Sequence, residues 1–333
     1  MRSSFFQRFL RKLISSGQLP SSPESVGLPP EADVEPATNT IEDEIYAKLL
    51  RPGDICFDVG AHKGALSMFL AKIVGESGKV FAFEPVWPLF EAMCQSLQQD
   101  KSTGSRCTVV SIPWGLSDKP QTCCIHVPRS DYGLEFGVGS MAEQAAWSKA
   151  QDVWRVNQSA VQIESYQCQF VTLDSFLESS RVQPPTFLKI DVEGAEDLVL
   201  RGSINLFESG ARPLMLIELF APWEKAFGYQ PWQPLSRLLA CGYEILFVCV
   251  EGIVEHRPTE SQPFPAEYAN GYNIIAFHPT HHKERISSLR HLFANNEERV
   301  RLVMPPAPCP NRIEHLANQI EISVDVVNDE TVV

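Results

Sequence analysis

Between residue 41 and about residue 280 the sequence alternates short apolar runs of strand type with runs of helical type. That rhythm confines the chain to an α/β fold on a mostly parallel sheet with helices on both faces. The turn Arg51-Pro52-Gly53 launches the first strand, residues 55–59. Further runs at 80–83, 108–112, 187–192, 214–219, 244–250 and 273–277 bring the expected count to seven main strands. Helices are expected at 66–74, from about 88 to 99, at 195–200 and at 235–239. With 333 residues, 44% of them hydrophobic, the chain can build a sizeable core, which excludes a wholly disordered protein.

The flanks break the rhythm. Residues 1–20 carry Arg2, Arg8, Arg11 and Lys12 and no acid, while Phe5, Phe6, Phe9, Leu10, Leu13 and Ile14 recur at helical spacing. This is a basic amphipathic helix with three open readings: peripheral attachment to an anionic membrane, an organelle presequence, or docking on its own domain or a partner. Residues 21–40 hold four prolines and four acids and no base, the composition of a linker. Within the expected domain, 41–280, an insertion spans about 129–165. Short β pieces lie around it at 124–127 and 167–171, and the helical-looking stretch 141–161 sits where it could cap a site. Residues 281–333, with a charged helical patch at 283–294 and then a run of prolines, are expected to form a helical or flexible tail.

Charge and cysteine usage narrow the partners. With 28 basic and 41 acidic residues the formal charge is −13, so the average field repels phosphate backbones and no nucleic-acid partner is expected. The nine cysteines form no CxxC pair, which argues against a zinc module and a disulfide framework and for a reducing, cytoplasmic setting. No stretch approaches the ~18 consecutive apolar residues of a membrane-spanning helix, and the N-terminus lacks the apolar run of a secretory signal.

The most informative motif is Asp58-Val59-Gly60-Ala61-His62-Lys63-Gly64, directly after a strand and before a helix. Glycines let backbone approach a ligand, and a helix N-terminus offers N–H groups to a carboxylate or similar group. It is not the dinucleotide fingerprint G-x-G-x-x-G, because the spacing is G-x-x-x-G with an acid two residues before the first glycine. That acid suits a cationic amino acid group rather than a pyrophosphate. Glu84 ends the next strand, where doubly wound folds place a carboxylate on ribose hydroxyls. An adenosine-like ligand with a charged amino acid end follows, and S-adenosylmethionine fits.

The segments DVGAHKGALS (58–67), VFAFEP (80–85), WGLSD (114–118), Gly139-Ser140, TLDSFL (172–177), LKIDVEGAEDLVLRG (188–202) and LIEL (216–219) together resemble the FkbM family of S-adenosylmethionine-dependent methyltransferases. The resemblance covers roughly residues 50–280 and implies a class I methyltransferase (Rossmann-like) fold, strand order 3-2-1-4-5-7-6 with the seventh strand antiparallel. It also implies O-methylation of a hydroxyl on a carbohydrate or other small metabolite. By the same resemblance Asp58, Gly60, Ala61 and Gly64 surround the methionine end of the cofactor, with Ser67 near the helix start. Glu84 holds the ribose, Leu116, Ser117 and Asp118 flank the adenine, and Asp191 and Glu193 face the methyl acceptor. His62, counted with the cofactor loop, departs from the asparagine more common there, and 141–161 is longer than the family's usual connection.

Methyl transfer from a sulfonium asks mainly for alignment of acceptor oxygen and methyl carbon, and an alcohol acceptor also gains from a base. Asp191 is the first candidate, followed by Glu193 and His62. The competing structural reading pairs Asp191 with Lys189 or makes it the cap of the helix after Gly194. Gly137-Val138-Gly139 lacks a preceding strand, there is no G-x-S-x-G elbow, and His126, His281 and His282 stand at irregular spacing, so no dinucleotide, hydrolase or metal site is expected there. A divalent ion at Asp191 and Glu193 is likewise not expected. Phe81, Phe83, Trp87 and Phe90 are aromatic neighbours of the proposed adenosine site, and core packing is the expected role for most of them. The alternative function is a catalytically silent cofactor-binding or scaffold module.

Overall fold

The computed structural model describes residues 41–102, 108–130, 139–143, 161–220, 225–249, 252–266 and 271–294. The expected helix at 1–20, linker at 21–40, and most of the 129–165 insertion and of the C-terminal tail lie outside the described residues.

Helix α1 (Ile41–Leu49) leads into β1 (Ile55–Val59), α2 (Ala65–Val74), β2 (Lys79–Phe83), α3 (Trp87–Ser102) and β3 (Thr108–Ile112). Then come β4 (Gly115–Leu116), β5 (Gln121–Ser130), β6 (Val161–Val171), α4 (Leu173–Ser180), β7 (Phe187–Ile190), α5 (Glu196–Arg201), α6 (Ile204–Glu208) and β8 (Leu214–Phe220). Helix α7 (Trp232–Ala240), β9 (Glu244–Cys249), β10 (Gly252–Glu255), β11 (Gly271–Phe277), α8 (Pro279–Ser287) and a 3-10 turn (Arg290–Leu292) complete the described order.

The main sheet has eight strands in the order β10-β9-β11-β8-β7-β1-β2-β3. Pairs β3–β2, β2–β1, β1–β7 and β7–β8 are parallel, whereas β11 runs antiparallel to both β8 and β9. The seven expected strands thus appear in the order the resemblance implies, and the eighth is β10, the return strand of a hairpin with β9. Strand β7 stops at Ile190, two residues short of expectation, because Glu193 and Gly194 take φ of 55° and 101°, outside the extended region.

Alternation along each strand divides the core between two faces. Phe57, Val59, Phe83, Leu188, Ile190, Met215 and Ile217 meet Phe176 of α4, Val199 and Leu200 of α5 and Leu235 and Leu238 of α7. Cys56, Val80, Phe187, Leu214, Leu216 and Ile275 meet Ile45, Tyr46 and Leu49 of α1 and Leu70, Ala71 and Val74 of α2. Leu289 and Leu292 belong to this second layer at 0% and 3% exposure, so the expected boundary near residue 280 falls inside α8 and the 3-10 turn closes the core. Arg285 of α8 reaches the Asp54 carboxylate ahead of β1 through two bonds of 2.7 and 2.9 Å.

Strands β4, β6 and β5 form a separate three-stranded sheet, with β5 and β6 antiparallel along ten paired positions. The two β pieces expected at 124–127 and 167–171 are the middle of β5 and the final residues of β6. The apolar face of the pair, with Ile125, Val127, Cys168 and Phe170, packs on Val86 and Leu89 at the start of α3. Among the described residues no helix is long and apolar enough to cross a membrane.

Candidate functional site

Parallel strands deliver their loops to one edge, and the carboxyl ends of β1, β2 and β7 open onto a cavity of about 240 Å³. Its walls include Gly60, His62, Glu84, Leu116, Asp191 and Glu193, six of the twelve residues singled out from the sequence. Apolar surface comes from Val86 and Leu89 of α3 and from Ile125 and Phe170 of the small sheet, which therefore roofs the cavity.

The loop after β1 is bound to its neighbours. Gly60 N–H and Ala61 N–H both donate to the Phe83 carbonyl, at 3.0 and 2.9 Å, and His62 N–H donates to Glu84 Oε2 at 2.9 Å. These three amides stitch the loop to the end of β2. Gly60 has φ of 88°, and a Cβ there would lie 1.9 Å from the Asp191 carbonyl oxygen, so the glycine is required by the end of β7. Gly64, at φ 84°, accommodates Met93 of α3.

Glu84 is 5% exposed, and its other oxygen accepts the Val86 N–H at 2.8 Å. Burial pushes its carboxyl up to about 8, against the pull of the two backbone donors. Each oxygen keeps a second lone pair, and the carboxyl borders the cavity, which matches a group that accepts from ligand hydroxyls. Asp58, by contrast, faces the α1 side, fully buried, and accepts a 2.5 Å bond from the Ser67 hydroxyl. Burial raises it to about 6. Asp58, Ala61, Gly64 and Ser67 thus support the loop from behind rather than line the cavity.

Ser117 and Asp118 do not line it either. Asp118 takes an Arg201 guanidinium N–H at 2.6 Å, and the buried Ser117 hydroxyl receives the Gln121 amide at 3.1 Å. Of that triplet only Leu116 reaches the cavity.

The loop after β7 carries the acceptor-side acids. Asp191 lies 3.4 Å from Lys189, the pairing set out above as its structural role, and its side chain keeps 33% exposure while bordering the cavity. It caps no helix: the N-cap of α5 is Ala195. Glu196 does that job differently, its Oε1 accepting the N–H groups of Val192 and Gly194 at 3.1 Å each. The Tyr229 hydroxyl donates to the Gly194 carbonyl, and Ser140 Oγ donates to the Glu193 carbonyl at 2.8 Å. Glu196, at 1% exposure, is pushed by burial up to about 7.

Burial works against the Lys189 ammonium, yet the charges of Asp191, Glu218 and Glu42, with Tyr46, hold it above the usual lysine value. Among the described residues no group of three His, Cys, Asp or Glu side chains is placed to hold a metal ion. Glu196 and Glu218 lie inside the recognised motifs without a role of their own there, Tyr229 carries no sequence signal, and the β pieces at 124–127 and 167–171 do not announce that Ile125 and Phe170 become cavity walls.

The family model described as the methyltransferase FkbM domain matches residues 58–245, more than half of the chain. Among solved structures, methyltransferase FkbM from Methylobacillus flagellatus KT is similar at 14% identity and TM-score 0.39, over 71% of this chain and 50% of that one. The chain therefore spans half the length of that protein. A SAM-dependent O-methyltransferase from Thermotoga maritima is similar at 14% identity and TM-score 0.35, over 81% and 70%. Aeropyrum pernix fibrillarin in complex with S-adenosyl-L-methionine gives 10% identity and TM-score 0.34, over 68% and 67%. No curated protein matches the sequence.

Proposed function

The chain belongs to the FkbM family of methyltransferases, and from that premise we propose that it moves the methyl group of S-adenosylmethionine to a hydroxyl of a carbohydrate or other small metabolite. The observation that supports this reading is that one cavity is lined by Glu84 together with Asp191 and Glu193. When bound, the cofactor supplies an electrophilic methyl group on a sulfonium. Glu84 accepts the ribose hydroxyls, and Val86, Leu89, Leu116, Ile125 and Phe170 give a flat adenine ring its apolar contacts. The acids Asp191 and Glu193 also give the site a negative field that favours the cofactor's cationic end.

On the acceptor side, Asp191 and Glu193 orient the hydroxyl, and Asp191 takes its proton as the oxygen is alkylated. An acid-lined cavity in a chain of net charge −13 favours a neutral acceptor over a polyphosphate. Calorimetry is expected to give micromolar-range binding of S-adenosylmethionine or its demethylated product, about −6 to −8 kcal/mol. Heat with NAD and none with these two ligands defeats the reading. Labelled-methyl transfer to a panel of glycans and polyols, run beside a structured RNA, then sorts the acceptor class, and transfer to the RNA alone overturns the small-molecule assignment. Asp191→Asn is expected to lower turnover about 10²-fold while leaving cofactor affinity nearly unchanged.

A further inference from the structure

Asp191 has a carboxyl neighbour outside the cavity wall. Strands β7 and β8 are parallel and their register ends with Ile190 opposite Ile217, so Asp191 and Glu218 are the next residue of each chain. Phe187, Leu214 and Leu216 pack toward α1, and alternation along β7 and β8 puts Lys189 and Glu218 on that same face, where Lys189 meets Asp191. The two carboxyls come together beside the Lys189 ammonium, which both of them face. An ionised carboxylate is acceptor-only, so two carboxyls set this close bond to each other only when one of them carries a proton. Asp191's charge first, and then burial, hold Glu218 well above the usual carboxylate range.

The surroundings fix the pair from every side. Below it, Lys189 lies 3.4 Å from Asp191 and donates to Asn273 Oδ1 at 3.3 Å. Asn273 stands opposite Glu218 on β11 and gives its Nδ2 to Glu42 of α1 at 2.7 Å. Tyr46 of α1 and Asp58 of β1 flank Lys189, Asp58 in direct register with it, and Glu193 approaches from beyond Asp191.

We propose that Glu218 is a positioning residue for methyl transfer: it shares one proton with Asp191, so that the pair, rather than Asp191 alone, receives the acceptor's hydroxyl proton. This rests on the functional reading above, in which Asp191 serves the acceptor. Beside Lys189 alone, Asp191 would be a weak base, because an opposite charge favours its ionised form. A like charge on the adjacent strand restores its appetite for a proton, and the pair titrates as one unit. As the acceptor oxygen bonds to the methyl carbon, the methyl–sulfur electron pair stays on sulfur and the hydroxyl proton passes to Asp191. The pair goes from one proton to two while the sulfonium charge disappears, so the net charge of the buried site is unchanged. The added proton then leaves to water through the 33% exposed side of Asp191.

Infrared difference spectroscopy on the full chain, stepped in pH, reads this without turnover, since a carboxylic acid absorbs apart from a carboxylate. The wild type is expected to hold an acid band near neutral pH that is lost in Glu218→Gln and equally in Asp191→Asn, while the acid bands that Glu84→Gln and Glu196→Gln remove are untouched. Should Glu218→Gln fail to fold, Asp191→Asn, at the partly exposed member, carries the same readout. An acid-band spectrum unchanged in the folded variants overturns the proposal. Calorimetry separates this from failure of the functional reading: a wild type that binds no S-adenosylmethionine sinks methyl transfer whatever the band does, and a Glu218-independent band sinks the proton pair with cofactor binding intact.

Discussion

Gly60 ties two loops together, since its φ of 88° and the 1.9 Å approach of the Asp191 carbonyl to any Cβ leave no room for a side chain. Gly60→Ala therefore adds an overpacking cost of ~1–3 kcal/mol to a left-handed backbone cost of ~1–2 kcal/mol. Gly75→Ala is the comparison, because Gly75 also has positive φ but nothing lies within 4 Å of its Cβ, and it should show only the backbone part. Chemical denaturation of both checks this, and equal losses would mean the loop after β7 yields to Gly60. Glu84→Ala is expected to weaken cofactor binding by about 1–3 kcal/mol, the cost of lost bonds to a charged acceptor, as read by calorimetry. Gly60 and Glu84 were legible because backbone freedom and a strand-end acid are local properties of the sequence. Ser117 and Asp118 stand off the cavity wall for a reason that is not local: Asp118 is engaged by Arg201, 83 positions away, and no local pattern announces that partner. Glu196 and Glu218 sit in plain view within their motifs, yet their roles come from the Val192–Gly194 turn and from the β7–β8 register.

Elements were legible where one period ran unbroken. The strand-type runs at β1, β2, β3 and β8 are mostly apolar with at most one charged residue each, whereas β5 and β6 alternate Cys, Gln, Glu and His with apolar residues, and only 124–127 and 167–171 stand out. Helix α8 was read as the edge of a tail because Lys283, Glu284 and Arg285 dominate its pattern, although its anchorage is made by one of those charges. Arg285 is 23% exposed and holds the 5% exposed Asp54 carboxylate through two bonds, with Thr186 Oγ1 adding a third at 2.8 Å. Breaking a buried pair from one side costs about 3–5 kcal/mol, and the partial exposure of Arg285 brings Arg285→Ala to about 2–3 kcal/mol. A chain ending at residue 278 loses in addition the burial of Leu289 and Leu292, each worth about 1.5–3 kcal/mol. It should show no cooperative unfolding transition, whereas one ending at residue 294 should keep it; cooperative melting of the shorter chain would make α8 dispensable.

At the scale of the whole molecule, buried carboxyls couple stability to pH and to the ligand. Burial raises Asp58 to about 6, Glu196 to about 7 and Glu84 to about 8, from ordinary values of 3.8, 4.5 and 4.5. A carboxyl raised in this way binds its proton more tightly when folded. Its contribution is complete below its unfolded value and is lost as pH climbs through its folded one. His282 acts in the opposite sense: burial lowers it to about 4 from 6.5, so its contribution is lost as pH falls through that window and is complete above it. Between pH 6.5 and 8 only the carboxyls of this set still titrate, and the ligand-free protein is expected to melt at progressively lower temperature, with a shallower slope in Glu84→Gln. The bound cofactor reverses the trend, because ribose hydroxyls and a cationic end favour the ionised form of Glu84 and lower its value in the complex. Binding near pH 7 must then release protons, and affinity must rise toward pH 8 in step with the fall in ligand-free stability. Titrations in buffers of different ionisation enthalpy measure the release directly: the wild type should release protons and Glu84→Gln should release fewer. Proton uptake, or a release that survives Glu84→Gln undiminished, would remove Glu84 from the cofactor's contacts.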